Sequence, residues 1–91
     1  MNDRMLPSAD RPLESVAELV RVPPARIRYY VRIGLVTPSR VAGRRIYFRD
    51  SELARLRKIR RLRDDLGLDT PGIEVALRLL DEIDRLRTSR R

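Results

Sequence analysis

The sequence has 91 residues, no cysteine, no histidine and a formal net charge of +8. One small domain is the expected scale, and the missing residue types exclude disulfide staples, zinc fingers, thiol redox sensing and every Ser-His-Asp, Cys-His or imidazole mechanism. No apolar run approaches the roughly 18–20 residues that span a bilayer, and no signal-peptide core is present, so a soluble, cytoplasmic protein is expected.

Residues 1–12, MNDRMLPSADRP, have no apolar period and contain two prolines, which predicts a disordered leader. From residue 13 to 20 the apolar positions Leu13, Val16, Ala17, Leu19 and Val20 predict a short helix. Pro23 and Pro24 end it and start the next, because proline is tolerated at a first helical position but not inside. The second helix is expected over 24–33, with Ile27, Tyr30 and Val31 as its core stripe and Gly34 as its left-handed C′ residue. Arg26, Arg28, Tyr29 and Arg32 then lie on its other faces. Two short helices with a tight turn between them describe a helix-turn-helix.

Residues 35–48, LVTPSRVAGRRIYF, contain two β-leaning stretches around turn residues, predicting a small hairpin or wing with Arg40, Arg44 and Arg45 near its tip. Asp50 fits the N-cap of a third helix at about 51–65. Its buried edge is Leu53, Leu56, Ile59 and Leu62, and Gly67 closes it. Thr70 and Pro71 read as N-cap and N1 of a fourth helix reaching about Arg87. Ile73, Ala76, Leu77, Leu80, Ile83 and Leu86 line its wide apolar face. Val75 and Leu79 are apolar as well, more than one packing surface requires. Glu74 with Arg78 and Asp81 with Arg85 are acid-first i,i+4 pairs, each worth about 0.2–0.5 kcal/mol. The expected fold is mainly α: a winged helix-turn-helix over 13–68, followed by an amphipathic helix over 69–91.

Charge is concentrated in the middle. Residues 21–63 hold fourteen basic residues against only Asp50 and Glu52, whereas residues 1–20 and 64–91 are each slightly acidic. All four aromatics, Tyr29, Tyr30, Tyr47 and Phe48, fall in the same segment. A basic stripe interleaved with tyrosine is the footprint of nucleic-acid binding; its plain alternative is a solvated Arg-rich surface. The acidic clusters support no chemistry. Neighbouring helix positions diverge by about 100°, so neither Asp64-Asp65 nor Asp81-Glu82-x-Asp84 converges on a metal or an acid/base site. The glycines are isolated and form no phosphate loop, so no cofactor, metal or catalysis is expected. The polar side of the fourth helix is acidic, which argues against an anionic membrane.

The run Ala17-x4-Val22-x4-Ile27-Arg28-Tyr29-Tyr30-x3-Gly34-Leu35, followed by a basic hairpin and an Arg-rich helix, resembles the MerR-type winged helix-turn-helix family. GLVTPSR followed by Gly43-Arg44-Arg45 is most similar to its heat-shock repressor subgroup. The resemblance implies a dimer on double-stranded DNA, with the second helix in the major groove and the wing on the backbone. Carried over by position, Arg26, Arg28, Tyr29 and Arg32 become helix contacts, Arg40, Arg44, Arg45 and Tyr47 wing contacts, and Ile27 and Tyr30 core. Two positions depart from the family pattern: Arg21 stands in place of the turn glycine and Arg26 in place of threonine. An Arg at such a turn either avoids positive φ or accepts strain. The C-terminal third, Leu68-Asp69-x-Pro71-Gly72-Ile73-x-Val75-Ala76-Leu77-x-Leu79-x-Asp81-x-Ile83, is similar to chaperone-modulator proteins that bind DnaJ-type co-chaperones. That resemblance implies a second function class, protein contact, with Ile73, Ala76, Leu77, Leu80, Ile83 and Leu86 as partner or dimer surface.

Overall fold

The computed structural model describes residues 9–89; the disordered-leader expectation for residues 1–8 lies outside them. The elements are β1 (Arg11–Pro12), α1 (Leu13–Val20), α2 (Pro24–Arg32), β2 (Arg40–Ala42), β3 (Arg45–Phe48), α3 (Asp50–Asp64) and α4 (Thr70–Ser89). Two compact units divide between Arg57 and Lys58, inside α3.

In the first unit α1 buries Leu13, Val16, Ala17 and Val20 at helical spacing, while Leu19 stays 48% exposed. The helix stops at Arg21, which adopts the left-handed conformation with φ 59° and ψ 46°. It is the single non-glycine residue with positive φ among those described. The Arg21 N–H donates to the Ala17 carbonyl, and the Val22 N–H reaches the same carbonyl at 3.2 Å. Val22 is thereby drawn into the core, 2% exposed. Of the two options open to an Arg at this turn, the chain takes the strained one, at a cost of about 1–2 kcal/mol for an L-residue. Part of that cost returns when glycine replaces it, because glycine also raises the entropy of the unfolded chain. Arg21→Gly is therefore expected to stabilise the protein by about 0.5–1 kcal/mol, read as a higher denaturant midpoint at constant slope.

Pro23 caps α2 and Pro24 opens it; the Arg26 and Ile27 N–H groups both donate to the Pro23 carbonyl. At the other end the Leu35 N–H bonds to Tyr30 O at 2.9 Å and the Gly34 N–H to Val31 O at 3.1 Å. Those are the two bonds of a Schellman motif. Gly34 supplies its left-handed residue at φ 83°. Ile27 and Tyr30 are buried as expected, and Val31 is half-buried. α1 packs on α2, β1 and β3.

The wing has one strand more than its sequence suggests. The antiparallel order is β1-β3-β2, with Arg11 opposite Phe48 and Pro12 opposite Tyr47 on one side of β3, and Arg40 opposite Tyr47 on the other. The end of the expected leader is thus corrected: Arg11 and Pro12 are paired. Pro12 lacks an N–H, which an edge strand tolerates. The hairpin loop is Gly43-Arg44, closed by the Ala42–Arg45 pair. Gly43 has φ 62°, the positive angle that a two-residue hairpin loop with glycine first demands.

Both later N-caps lie one residue earlier than expected. For α3 the cap is Arg49, whose carbonyl accepts the Leu53 N–H at 3.0 Å and whose own N–H is taken by Glu52 Oε1 at 2.8 Å. This is the glutamate half of a capping box, and it leaves Asp50 as the first helical residue. For α4 the cap is Asp69: its Oδ1 accepts the Gly72 N–H at 2.9 Å and its carbonyl the Ile73 N–H at 2.9 Å. Leu53 and Leu56 are buried in the first unit, and Ile59, Leu62, Ile73 and Leu77 in the second.

Candidate nucleic-acid interface

The first unit gathers its cations around α2 and the wing. On α2, Arg28, Tyr29 and Arg32 are exposed and Arg26 is half-buried. The Arg32 guanidinium lies 5.7 Å from the centre of the Tyr29 ring, a cation–π distance, so the two side chains present one aromatic-cationic ledge. On the wing, Arg44 occupies the loop and Arg45 opens β3, both exposed. Arg28, Arg45, Pro12, Leu13, Glu14 and Ile46 line one cleft of about 390 Å³. The helix and the wing therefore share a basic recess, with Glu14 as its acidic member.

Arg40 and Tyr47 have more specific surroundings than expected. The Arg40 guanidinium stacks over the Tyr47 ring at 4.1 Å, and its Nε donates to Asp10 Oδ2 at 3.1 Å. Arg49 Nε donates to Asp10 Oδ1 at 3.1 Å, and Ser39 Oγ lies 2.8 Å from the same oxygen. Ser39 Oγ is also 3.1 Å from the Tyr47 carbonyl, so one hydroxyl proton serves two acceptors. Behind the wing, half-buried Arg55 donates through Nε to the Leu35 carbonyl at 2.6 Å, tying α3 to the segment that leaves α2. Asp10, Ser39, Arg49 and Arg55 were not among the residues singled out from sequence. Nothing local marks them: the Asp10 partners lie 29, 30 and 39 residues away.

The bonds to Asp10 hold its carboxyl below the usual carboxylate value, chiefly through the Ser39 hydroxyl; partial desolvation opposes this, and Arg49 and then Arg40 add to the lowering. A depressed folded pKa contributes stability above the unfolded value of about 3.9, and that stability is lost as pH falls through the folded value. Acid titration is therefore expected to release the Asp10 clasp at a lower pH than that at which an ordinary aspartate protonates. The Asp10 carboxyl ¹³C shift reads this directly; a midpoint at or above about 3.9 would contradict the clasp.

In the second unit, α4 divides the six residues assigned to an interface. Ile73 and Leu77 are buried in the chain's own core, Ala76 and Leu80 are half-buried, and Ile83 and Leu86 are 47% and 49% exposed. Ile73 and Leu77 are thus corrected from interface to core. Val75 and Leu79, at 51% and 59%, are more exposed still. Val75, Leu79, Ile83 and Leu86 recur at i, i+4, i+8 and i+11, which puts them on one face. Arg85 pairs with Glu82, three residues before it. No helix among the described residues is long and apolar enough to cross a membrane.

A family profile described as MerR HTH family regulatory protein matches residues 12–90. The chain is 38% identical over 73 residues to a heat shock protein, HspR, of Streptomyces coelicolor, covering 78% of this chain and 47% of that protein. It is 39% identical over 61 residues to the chaperone modulatory protein CbpM of Escherichia coli, covering 67% of this chain and 60% of that one. The CbpM of Salmonella arizonae matches to the same extent. The chain thus spans about half to three fifths of the length of these relatives.

Proposed function

Because the chain belongs to the MerR HTH family of regulatory proteins, we propose that it is a transcriptional regulator of heat-shock or chaperone genes that binds duplex DNA as a dimer. The observation that carries this reading is the recess lined both by Arg28 of α2 and by Arg45 of the wing. α2 enters the major groove with Arg28, Arg32 and Tyr29 outward, half-buried Arg26 lies at its start, and Arg44 and Arg45 follow the backbone. Affinity comes from arginine–phosphate contacts and discrimination from the few α2 side chains that reach base edges. Fourteen basic residues in the central segment, opposed by two acids, have no comparable use in a module that binds only protein.

The second reading is a chaperone modulator that binds a DnaJ-type co-chaperone. It rests on α4, where the exposed Val75, Leu79, Ile83 and Leu86 share the helix with Glu74, Asp81, Glu82 and Asp84, a surface complementary to a basic helix. One titration of the protein against duplex DNA and against a purified J-domain, repeated at several salt concentrations, separates the two. Salt-sensitive duplex binding supports the first; a J-domain complex without any duplex shift replaces it by the second.

A further inference from the structure

We propose that Ser39, Arg40 and Arg49 form an anion site on the wing, which the protein's own Asp10 carboxylate fills in the free state and a DNA phosphodiester takes over on binding. The inference rests on the duplex-binding reading and adds to it a resident competitor. The donor set is that of a phosphate grip: two guanidinium Nε groups at 3.1 Å and a hydroxyl at 2.8 Å converge on two oxygens that share one negative charge. Charge-assisted bonds of this kind suit carboxylate and phosphate alike. Two arginines against one carboxylate leave the site net positive, so Asp10 does not exhaust its capacity for anions.

The site persists without its occupant. Arg40 is held by the Tyr47 ring at 4.1 Å, and the Ser39 hydroxyl retains the Tyr47 carbonyl as an acceptor at 3.1 Å. Both guanidinium side chains are more than half exposed, at 52% and 56%, while Asp10 between them is 19% exposed. An incoming phosphate therefore meets the arginines first and the carboxylate behind them. Asp10 directly precedes the two-residue edge strand β1, so its withdrawal disturbs little of the sheet. In this arrangement Asp10 restrains binding to any duplex and sets the threshold above which contacts elsewhere capture the DNA.

The test is Asp10→Asn in the full chain, with Asp10→Glu as the variant that retains the charge. Removing one like charge some 4 Å from a phosphate in water is worth about fivefold in affinity. Asp10→Asn is expected to bind a duplex more tightly near 0.15 M salt by about fivefold per protomer, with log K against log salt steeper by about 0.9 per protomer. The gain should vanish when Arg40→Gln and Arg49→Gln are added, and Asp10→Glu should follow the wild type. Unchanged or weaker binding by Asp10→Asn, with β1–β3 amide signals intact, overturns the proposal. A second readout needs no DNA: inorganic phosphate titrated against the Arg40 and Arg49 Nε–H signals should saturate at lower concentration in Asp10→Asn than in the wild type. If neither protein binds any duplex, the regulator reading fails, and the phosphate titration alone decides the site: shifts of both Nε–H signals sustain it, and their absence removes it.

Discussion

Raising salt from 50 to 200 mM is expected to weaken duplex binding by about three orders of magnitude. If a dimer neutralises about six phosphates, log K falls against log salt with a slope near −5, and a fourfold change in salt then gives about a thousandfold. Arg44→Ala or Arg45→Ala should weaken all sequences alike and flatten the slope by about one unit per lost contact, or about two because each change occurs twice per dimer. Arg28→Ala or Arg32→Ala should act differently. Where either side chain reaches a base edge, its loss reduces discrimination between operator and random duplex by roughly 1–3 kcal/mol. Arg32 carries an extra consequence, because its guanidinium faces the Tyr29 ring and its removal leaves that ring, among the described residues, only its Tyr30 neighbour as a ring or cation contact. Tyr29→Phe keeps the ring and deletes only the hydroxyl, separating a phosphate bond from stacking. Fluorescence anisotropy over a salt series checks all of these. A slope near zero for the wild type would remove the electrostatic basis of the proposed function.

Ile83→Asp or Leu79→Asp is expected to dissociate the proposed dimer. A winged unit of this size lies near the lower limit for an adequate core, and the stripe from Val75 to Leu86 leaves four large apolar side chains about half exposed. A patch of that kind marks an interface. An uncompensated charge buried in the seam costs about 3–5 kcal/mol, which raises the dimer Kd by about two to three orders of magnitude or more. Leu80→Asp is a poorer choice: Leu80 is already half-buried in the protomer, so its loss mixes association with folding. Sedimentation should show the wild type as a dimer at tens of micromolar and both variants as monomers. A monomeric wild type removes the dimer. A wild-type dimer that survives Ile83→Asp but loses J-domain binding assigns the stripe to the co-chaperone instead.

Most of the helical architecture was legible because its causes are local. The spacing of Leu13, Val16, Ala17 and Val20 is enough for α1, the proline pair for the start of α2, and Gly34 for its end. Leu53, Leu56, Ile59 and Leu62 repeat at helical intervals and are all buried. The N-caps of α3 and α4 slipped by one residue: Asp50 is a good cap by type but Arg49 takes the position, and before α4 Asp69, a cap type at least as good as Thr70, takes it. In Asp69 the carboxylate turns back onto the Gly72 N–H; at Arg49 the side chain plays no part and Glu52 supplies the acceptor.

The amino-acid order alone determined a basic centre between acidic flanks, four helices, a small basic hairpin after α2 and the outward face of α2. Each depends on composition or on periods of a few residues. Only the tertiary structure decided that Arg11 and Pro12 join the wing as a third strand, that Asp10 occupies the Ser39, Arg40 and Arg49 donors, and that Ile73 and Leu77 belong to the core while Val75 and Leu79 face outward. The wing pairings bridge some 30 to 40 residues, and a polar segment with two prolines carries no periodic signal of them. On α4 every third or fourth position is apolar on more than one face. The choice of which face is buried comes from what packs against it, and no repeat within the helix can express that.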